Sequence, residues 1–230
     1  MADIGIIGAM EIEVDALCKK LEGHKTESFG GIEFHTGMLF GKSTVIARCG
    51  IGKVFAAMCA EAMIVRFSPK LLVNTGVGGA IAEGLETGDI VIADKALQHD
   101  MDTSALGDDP GLISGINKIY FESDKRALSL LSEAASALGY PLKVRTVATG
   151  DKFIASYEDK RRIAEAFGAS VCEMEGGAIA QAAFVNSCPF VIVRAISDSA
   201  DGSATMDYAS FLPIAAKRSA ELTMELVKKY

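Results

Sequence analysis

Three short segments of the 230-residue chain place carboxylates where an extended run gives way to a helical one. Glu11 and Glu13 follow Ile4-Gly5-Ile6-Ile7-Gly8. Glu173-Met174-Glu175 precedes Gly176-Gly177, two residues that let a ligand approach the backbone closely. Ser197-Asp198 follows the apolar run Phe190 to Val193. Open α/β sheets bind ligands at the carboxyl ends of their strands. Acids spread over three such ends suit a site that needs a base, an acid and a clamp for hydroxyl groups. Glu13 falls at the edge of an apolar helical stripe, so it is expected neither in solvent nor in the core. Its place in the first helical turn favours its ionised form through the helix dipole. The plainer alternatives are a solvated first-turn acid at Glu13, a charged strand terminus at Glu175 and a turn cap at Asp198.

Other motifs carry less. Gly5 and Gly8 sit at a strand-to-helix turn but fail the dinucleotide fingerprint, because Met10 holds the third position. A pyrophosphate there would also meet Glu11 and Glu13 instead of open amides. Gly50-Ile51-Gly52-Lys53 resembles half a P-loop, but Ala47 replaces its leading glycine and Val54 its Ser/Thr. The five cysteines stand at 18, 49, 59, 172 and 188, with no CxxC pair. They read as small buried apolar residues in a reducing compartment. His99-Asp100-Met101-Asp102 hints at a metal, yet no second ligand cluster accompanies it, and a polar loop is the reading adopted.

The elements that must hold these acids follow from periodicity. Ile4–Ile7 reads as a buried strand. Met10, Val14, Leu17, Cys18 and Leu21 form one apolar helical face that Gly23 ends. Ile32–Leu39 and Ser43–Arg48 read as strands about a Phe40-Gly41-Lys42 hairpin turn. Ala56–Phe67 is a helix stopped by Ser68-Pro69. Leu71–Val73 is a strand running into Gly76-Val77-Gly78-Gly79, and 89–93 is another. Residues 101–122 are expected to form a long loop. Then come helix 124–138, strand 142–148, helix 157–167, strand 170–172, helix 177–185, strand 190–196 and a closing helix 208–229. Pro213 must lie in the first turns of that helix or kink it. Strands and helices alternate throughout and the early hairpin mixes strand directions, which predicts one α/β domain with a mixed sheet.

Composition narrows the function classes. Hydrophobic residues make up 50% and charged residues 23%, which excludes intrinsic disorder. A net charge of -7 gives no basic surface for tracking phosphates, so no nucleic-acid partner is expected. The most apolar stretch, 176–196, is broken by Gln181, Asn186, Ser187, Pro189 and Arg194, so no membrane span is expected. The first basic residue is Lys19, which argues against a secretory leader and for a cytoplasmic protein. Mean hydropathy is +0.27, as strands buried on both faces and Ala-rich helices would give.

Taken together, Ile4-Gly-Ile-Ile-Gly-Ala-Met-Glu-Ile-Glu-Val14, Gly50-Ile-Gly-Lys53, Asn74-Thr-Gly76, Gly150-Asp-Lys-Phe-Ile154, Cys172-Glu-Met-Glu175 and Val193-Arg-Ala-Ile-Ser-Asp198 resemble the 5′-methylthioadenosine/S-adenosylhomocysteine nucleosidases of the nucleoside phosphorylase superfamily. They keep that family's order and spacing from residue 4 to the final helix. The resemblance implies a three-layer α/β/α domain over residues 1–230 and cofactor-free hydrolysis of the N-glycosidic bond of adenine thioribosides. It makes Glu13 the base that activates water and Asp198 the acid that protonates adenine N7. Glu175 would grip the ribose hydroxyls with Met174 beneath the sugar. Phe153 would stack on adenine, the Ile154 backbone would read its edge, and the Gly79 amide would line the site. Tyr208 resembles the aromatic residue covering the ribose. Met10, Ile51, Arg194 and Ser197 complete the implied substrate-binding set. A homodimer is implied as well, with Thr103 and Leu106 reaching the neighbouring subunit's site.

The chain departs from the family pattern in three places. Val77 stands where a small polar residue is common, Gly78-Gly79-Ala80 where Ala-Gly-Gly is usual, and the 107–122 loop is unlike the common form. Rival readings are a phosphate-dependent nucleoside phosphorylase, a non-catalytic nucleoside sensor and a 6-amino-6-deoxyfutalosine nucleosidase. The phosphorylase would set a phosphate dianion against Glu13, with only Arg48 near the early loops to offset it. A sensor has no need of a general acid.

Overall fold

The computed structural model describes residues 1–198 and 204–230, apart from the side chains of 204–207. Ten strands share one sheet: β1 (Ile4–Gly8), β2 (Glu22–Phe29), β3 (Ile32–Leu39), β4 (Lys42–Arg48), β5 (Leu71–Ala80), β6 (Ile90–Gln98), β7 (Phe121–Glu122), β8 (Leu142–Thr149), β9 (Val171–Glu173) and β10 (Phe190–Asp198). Among the described residues six α-helices accompany them: α1 (Glu11–Cys18), α2 (Lys53–Phe67), α3 (Lys125–Leu138), α4 (Tyr157–Phe167), α5 (Gly176–Val185) and α6 (Ala204–Lys229). The sheet runs β10-β6-β8-β9-β5-β1-β4-β3-β2, and β10 also pairs with β5, so the first five strands of that order close on themselves. Parallel pairings such as β1 with β5 and antiparallel ones such as β5 with β9 coexist. The sheet is therefore mixed, as the early hairpin predicts.

Alternate residues of the central strands enter opposite cores. Ile7, Leu72, Val91 and Ile192 pack on one side with α2 and α5. Ile6, Val73, Ile92 and Val193 pack on the other with α1, α3 and α6. Both faces are covered, so these strands read as continuous apolar runs rather than alternating ones. A smaller cluster joins Ile163 and Phe167 of α4 to Leu97, Ala148 and Ile154.

Several boundaries differ from the sequence reading. Helix α1 stops at Cys18, and the next residues turn into β2. That strand was not expected, because Glu22–Phe29 is polar and mostly exposed. It exists through hydrogen bonding to β3 at the sheet edge, where burial supplies no pattern. Strand β5 continues through its glycines to Ala80, and β6 extends to Gln98. The 101–122 loop contains a single 3-10 turn at Ser104–Leu106, a bridge between Ile113 and Lys118, and β7. Helix α6 begins before Tyr208, which leaves Pro213 inside it, past the first turn. Among the described residues no helix is long and apolar enough to cross a membrane.

Candidate active site

The carboxyl ends of β1, β5, β9 and β10 surround a cavity of about 320 Å³. Glu13 reaches it from the first turn of α1. Met10 is the N-cap, and Glu13, at the third helical position, folds back onto the backbone amides that precede the helix. Its Oε2 accepts from the N–H groups of Ala9 (2.8 Å) and Met10 (2.9 Å), and Oε1 from Val77 (3.1 Å). Two glycines make room. A Cβ on Gly76 would stand 2.5 Å from Glu13 Oε1, and one on Gly8 would stand 3.1 Å from Glu13 Cβ. Glu13 is only 3% exposed, more deeply buried than a stripe-edge position predicts. Burial therefore pushes its carboxyl above the usual range, while the three amides and Arg194 pull the other way. Desolvation outweighs the helix dipole that the sequence alone brings to mind.

Glu175 is the N-cap of α5, and its Oε1 accepts from the Gly52 N–H at 2.9 Å. Burial first, then the charge of Glu173, pushes its carboxyl up to about 7. In the Gly50–Lys53 loop the Gly52 and Lys53 amides go to carboxylates, while the Gly50 N–H donates to the Ala9 carbonyl. The Lys53 N–H binds Asp151, and its ammonium binds Asp100. The His99–Asp102 segment is accounted for in the same way: Asp100 also accepts from Asp151 N–H, and Asp102 from Ser104 N–H.

Asp198 ends β10. The β5–β10 register slips between Ile196 and Asp198, and this bulge sets Asp198 against Gly79. A Cβ on Gly79 would lie 2.8 Å from Asp198 Oδ2, so glycine is required there. Ser197 Oγ donates to Oδ1 at 2.9 Å, and Lys160 Nζ to Oδ2 at 3.3 Å.

Around these acids the wall is largely apolar. Met10, Ile51, Ile154 and Met174 line it, as do Phe153 and Tyr208, whose rings meet edge to face at 5.6 Å. The Tyr208 hydroxyl reaches Met10 Sδ at 3.5 Å. Cys172 also faces the cavity, but burial pushes its thiol up, which leaves no thiolate for nucleophilic attack.

The structure thus brings Glu13, Asp198, Gly79, Phe153, Ile154, Met174, Glu175, Ser197, Tyr208, Met10 and Ile51 to one cavity. Arg194 lies outside its wall. It is buried behind it, donating to Glu173 Oε2, to Asn74 Oδ1 and to the Val193 carbonyl. Burial opposes the guanidinium charge, but Glu173 and Glu175 hold its pKa above the ordinary arginine value. Thr103 and Leu106 do not reach this cavity; Thr103 binds Asp108, and Leu106 is 84% exposed. Val77 contributes its amide to Glu13 and also lines the cavity.

Two residues escaped the sequence reading. The sequence reading gives Glu173 no role of its own, but it is buried and central. It pairs with Arg194 and accepts from Thr149 Oγ1 and from the Glu175 and Gly176 N–H groups. Lys160 was not considered. Its one signal is a lysine on the stripe that Ile163 and Phe167 bury.

Comparison with known proteins gives a consistent picture. The family described as the phosphorylase superfamily matches residues 3–228. The 5′-methylthioadenosine/S-adenosylhomocysteine nucleosidase of Staphylococcus aureus is 40% identical over 98% of this chain and 99% of its own. The crystal structure of the Neisseria meningitidis nucleosidase of the same name, in complex with methylthio-immucillin-A, superposes with a TM-score of 0.96 at 36% identity, covering 100% of both chains. A futalosine hydrolase of Helicobacter pylori superposes with a TM-score of 0.94 at 31% identity, covering 99% of this chain and 97% of that one.

Proposed function

This chain belongs to the phosphorylase superfamily, and from that premise we propose that it hydrolyses the N-glycosidic bond of 5′-methylthioadenosine and S-adenosylhomocysteine, with 5′-deoxyadenosine as a further substrate. Adenine and the thioribose are the products, a step of methionine salvage in the cytoplasm. One observation carries the reading: Glu13, Glu175 and Asp198, from three different strand-to-helix transitions, converge on one mainly apolar cavity.

The chemistry follows from that placement. Adenine leaves poorly until protonated, so Asp198 gives a proton to N7. As the C1′–N9 bond lengthens, its electron pair stays with adenine and the sugar becomes oxocarbenium-like. The Glu175 carboxylate accepts from the ribose hydroxyls and stabilises that charge beside a mainly apolar wall. Glu13 takes a proton from the water that attacks C1′. Its three amide contacts fix the direction of the accepting lone pairs. Phe153 stacks on the adenine plane and the Ile154 backbone reads its edge, with Met174 under the sugar and Tyr208 over it. The Gly79 amide and Met10, Ile51 and Ser197 complete the walls, while Arg194 holds the Glu173 side of the site. No cofactor takes part.

A phosphorylase reading would seat a phosphate dianion beside Glu13. Among the described residues no arginine lines the cavity, and the nearby Arg194 is committed to Glu173. Hydrolysis of 6-amino-6-deoxyfutalosine is the second reading, favoured by the likeness to a futalosine hydrolase. Methylthioadenosine incubated with and without phosphate separates these. Free methylthioribose at equal rates, unaffected by chelator, is expected. The 1-phosphate, or no adenine from methylthioadenosine alongside adenine from the futalosine, would refute it.

We also propose a homodimer. Ile51, Val54, Phe55 and Met58 expose an apolar surface around the start of α2, and the exposed Leu106 supports a contact of the Thr103–Leu106 loop with a second copy. An active monomer of 24.2 kDa by light scattering would exclude it.

A further inference from the structure

Helix α4 turns one stripe inward, made of Lys160, Ile163 and Phe167. The spacing i, i+3, i+7 is that of a helix face packed on a core. Two of the three are apolar, and the third is a lysine only 1% exposed. A buried ammonium is strongly unfavourable unless paired. Lys160 Nζ lies 3.3 Å from Asp198 Oδ2, and the Asp198 side chain is itself 2% exposed. Replacing such a pair by apolar side chains often leaves a protein as stable or more so. Packing alone gives little reason for a lysine here.

We propose that Lys160 is a positioning residue for the general acid: its ammonium holds Asp198 through Oδ2 and stabilises the carboxylate left behind when the proton passes to adenine N7. The inference rests on the proposed N-glycosidic hydrolysis. In that step the Asp198 O–H bond breaks, an N7–H bond forms, and the C1′–N9 pair goes to adenine. Lys160 neither gains nor loses a proton; it faces a neutral carboxyl before the step and an anion after it. Attraction to the ammonium is greater in the second state, which lowers the barrier.

The other groups around Asp198 act differently. Ser197 Oγ holds Oδ1, and Gly79 approaches with no side chain. Cys172 from β9 and Tyr208 from α6 both feel the Asp198 charge, and it makes each harder to ionise. Glu13 and Glu175 add negative charge that Tyr208 also feels. Glu173, next to Cys172, is already paired with Arg194. Among the described residues, Lys160 is the only cation within 4 Å of Asp198.

A neighbouring cation makes the acid stronger and also lets it ionise at lower pH. Lys160→Met should therefore move the alkaline limb of kcat/KM upward by about one pH unit and lower the plateau kcat by about 10-fold. Lys160→Arg should restore both. A 4-nitrophenyl riboside with the same 5′-methylthio group needs no N7 proton, so its hydrolysis should change less than about 2-fold. If Lys160→Met does not fold, the double variant Lys160→Met/Asp198→Asn decides. It should match Asp198→Asn alone, because the proposed effect of the lysine on the reaction runs through that carboxyl.

An unmoved alkaline limb, an equal loss on both substrates, or a further 10-fold loss in the Asp198→Asn background would each overturn the inference while leaving the hydrolase reading intact. A wild-type chain that releases no adenine would refute both.

Discussion

Glu175→Gln tests whether burial sets the charge of the ribose-binding acid. Glutamine keeps the shape and an oxygen to accept from the Gly52 N–H. It removes only the negative charge. With the carboxyl pushed up to about 7, the free enzyme should be roughly 90% ionised at pH 8 and about 3% ionised at pH 5.5. If the carboxylate contributes about 100-fold to stabilising a cationic sugar, the wild-type advantage over Glu175→Gln in kcat/KM should be about 90-fold at pH 8. At pH 5.5 it should shrink to about 4-fold, because the wild type has by then lost the same charge. Titrations of Asp198 and Glu13 affect both proteins, so they largely cancel in the ratio. The assay is adenine release from methylthioadenosine at low substrate, run at half-unit pH steps. A ratio that stays flat from pH 5.5 to 8 would refute the argument, since Glu175 would then be ionised throughout despite its burial and its neighbour Glu173.

The same carboxyl affects stability. Its pKa is raised in the folded state from 4.5 to about 7, so its contribution is full below pH 4.5 and is lost as pH rises through 7; Glu175→Gln should gain on wild type by about 1 kcal/mol between pH 6 and pH 8, or roughly 2–4 °C in Tm by calorimetry. Gly76→Ala puts a methyl 2.5 Å from Glu13 Oε1; kcat should fall by about 100-fold with KM little changed, as expected for a base displaced by about 1 Å. Glu13→Gln should lower kcat by at least about 100-fold, whereas Glu11→Gln, exposed and 3.6 Å from an exposed Arg48, should match wild type in the same steady-state assay. Glu173→Gln leaves Arg194 buried beside a neutral partner; urea unfolding should show a loss of about 3 kcal/mol, the scale of a broken buried ion pair.

Much of the fold was legible in the sequence because both faces of the central strands are covered. Ile4–Ile7, Leu71–Val73 and Phe190–Ile196 are apolar enough to declare themselves, and the helices between them carry the 3.6-residue pattern. Helix α4 was placed at its observed limits, Tyr157 and Phe167. Strand β2 was not legible, since its stability lies in hydrogen bonds to β3 and not in burial. The three acids could be named from sequence because each follows a strand end, a property of a single segment. Their electrostatics could not. Glu13 is deeply buried only because Gly8 and Gly76 admit it. Glu175 is hard to ionise because the cavity walls bury it and, next, because Glu173 lies beside it.

Pairing is where the sequence runs out. Lys160 meets Asp198 across 38 residues, and Arg194 meets Glu173 across 21. Nothing local to either residue of a pair signals the other. The bulge that sets Asp198 against Gly79 arises from how two strands register. Composition and periodicity determined which segments become strands and helices, and which strand ends carry acids. Only the closing of the sheet decided which charges share a low-dielectric cavity. An ion's solvation and its partners are properties of the surrounding volume, not of its neighbours along the chain.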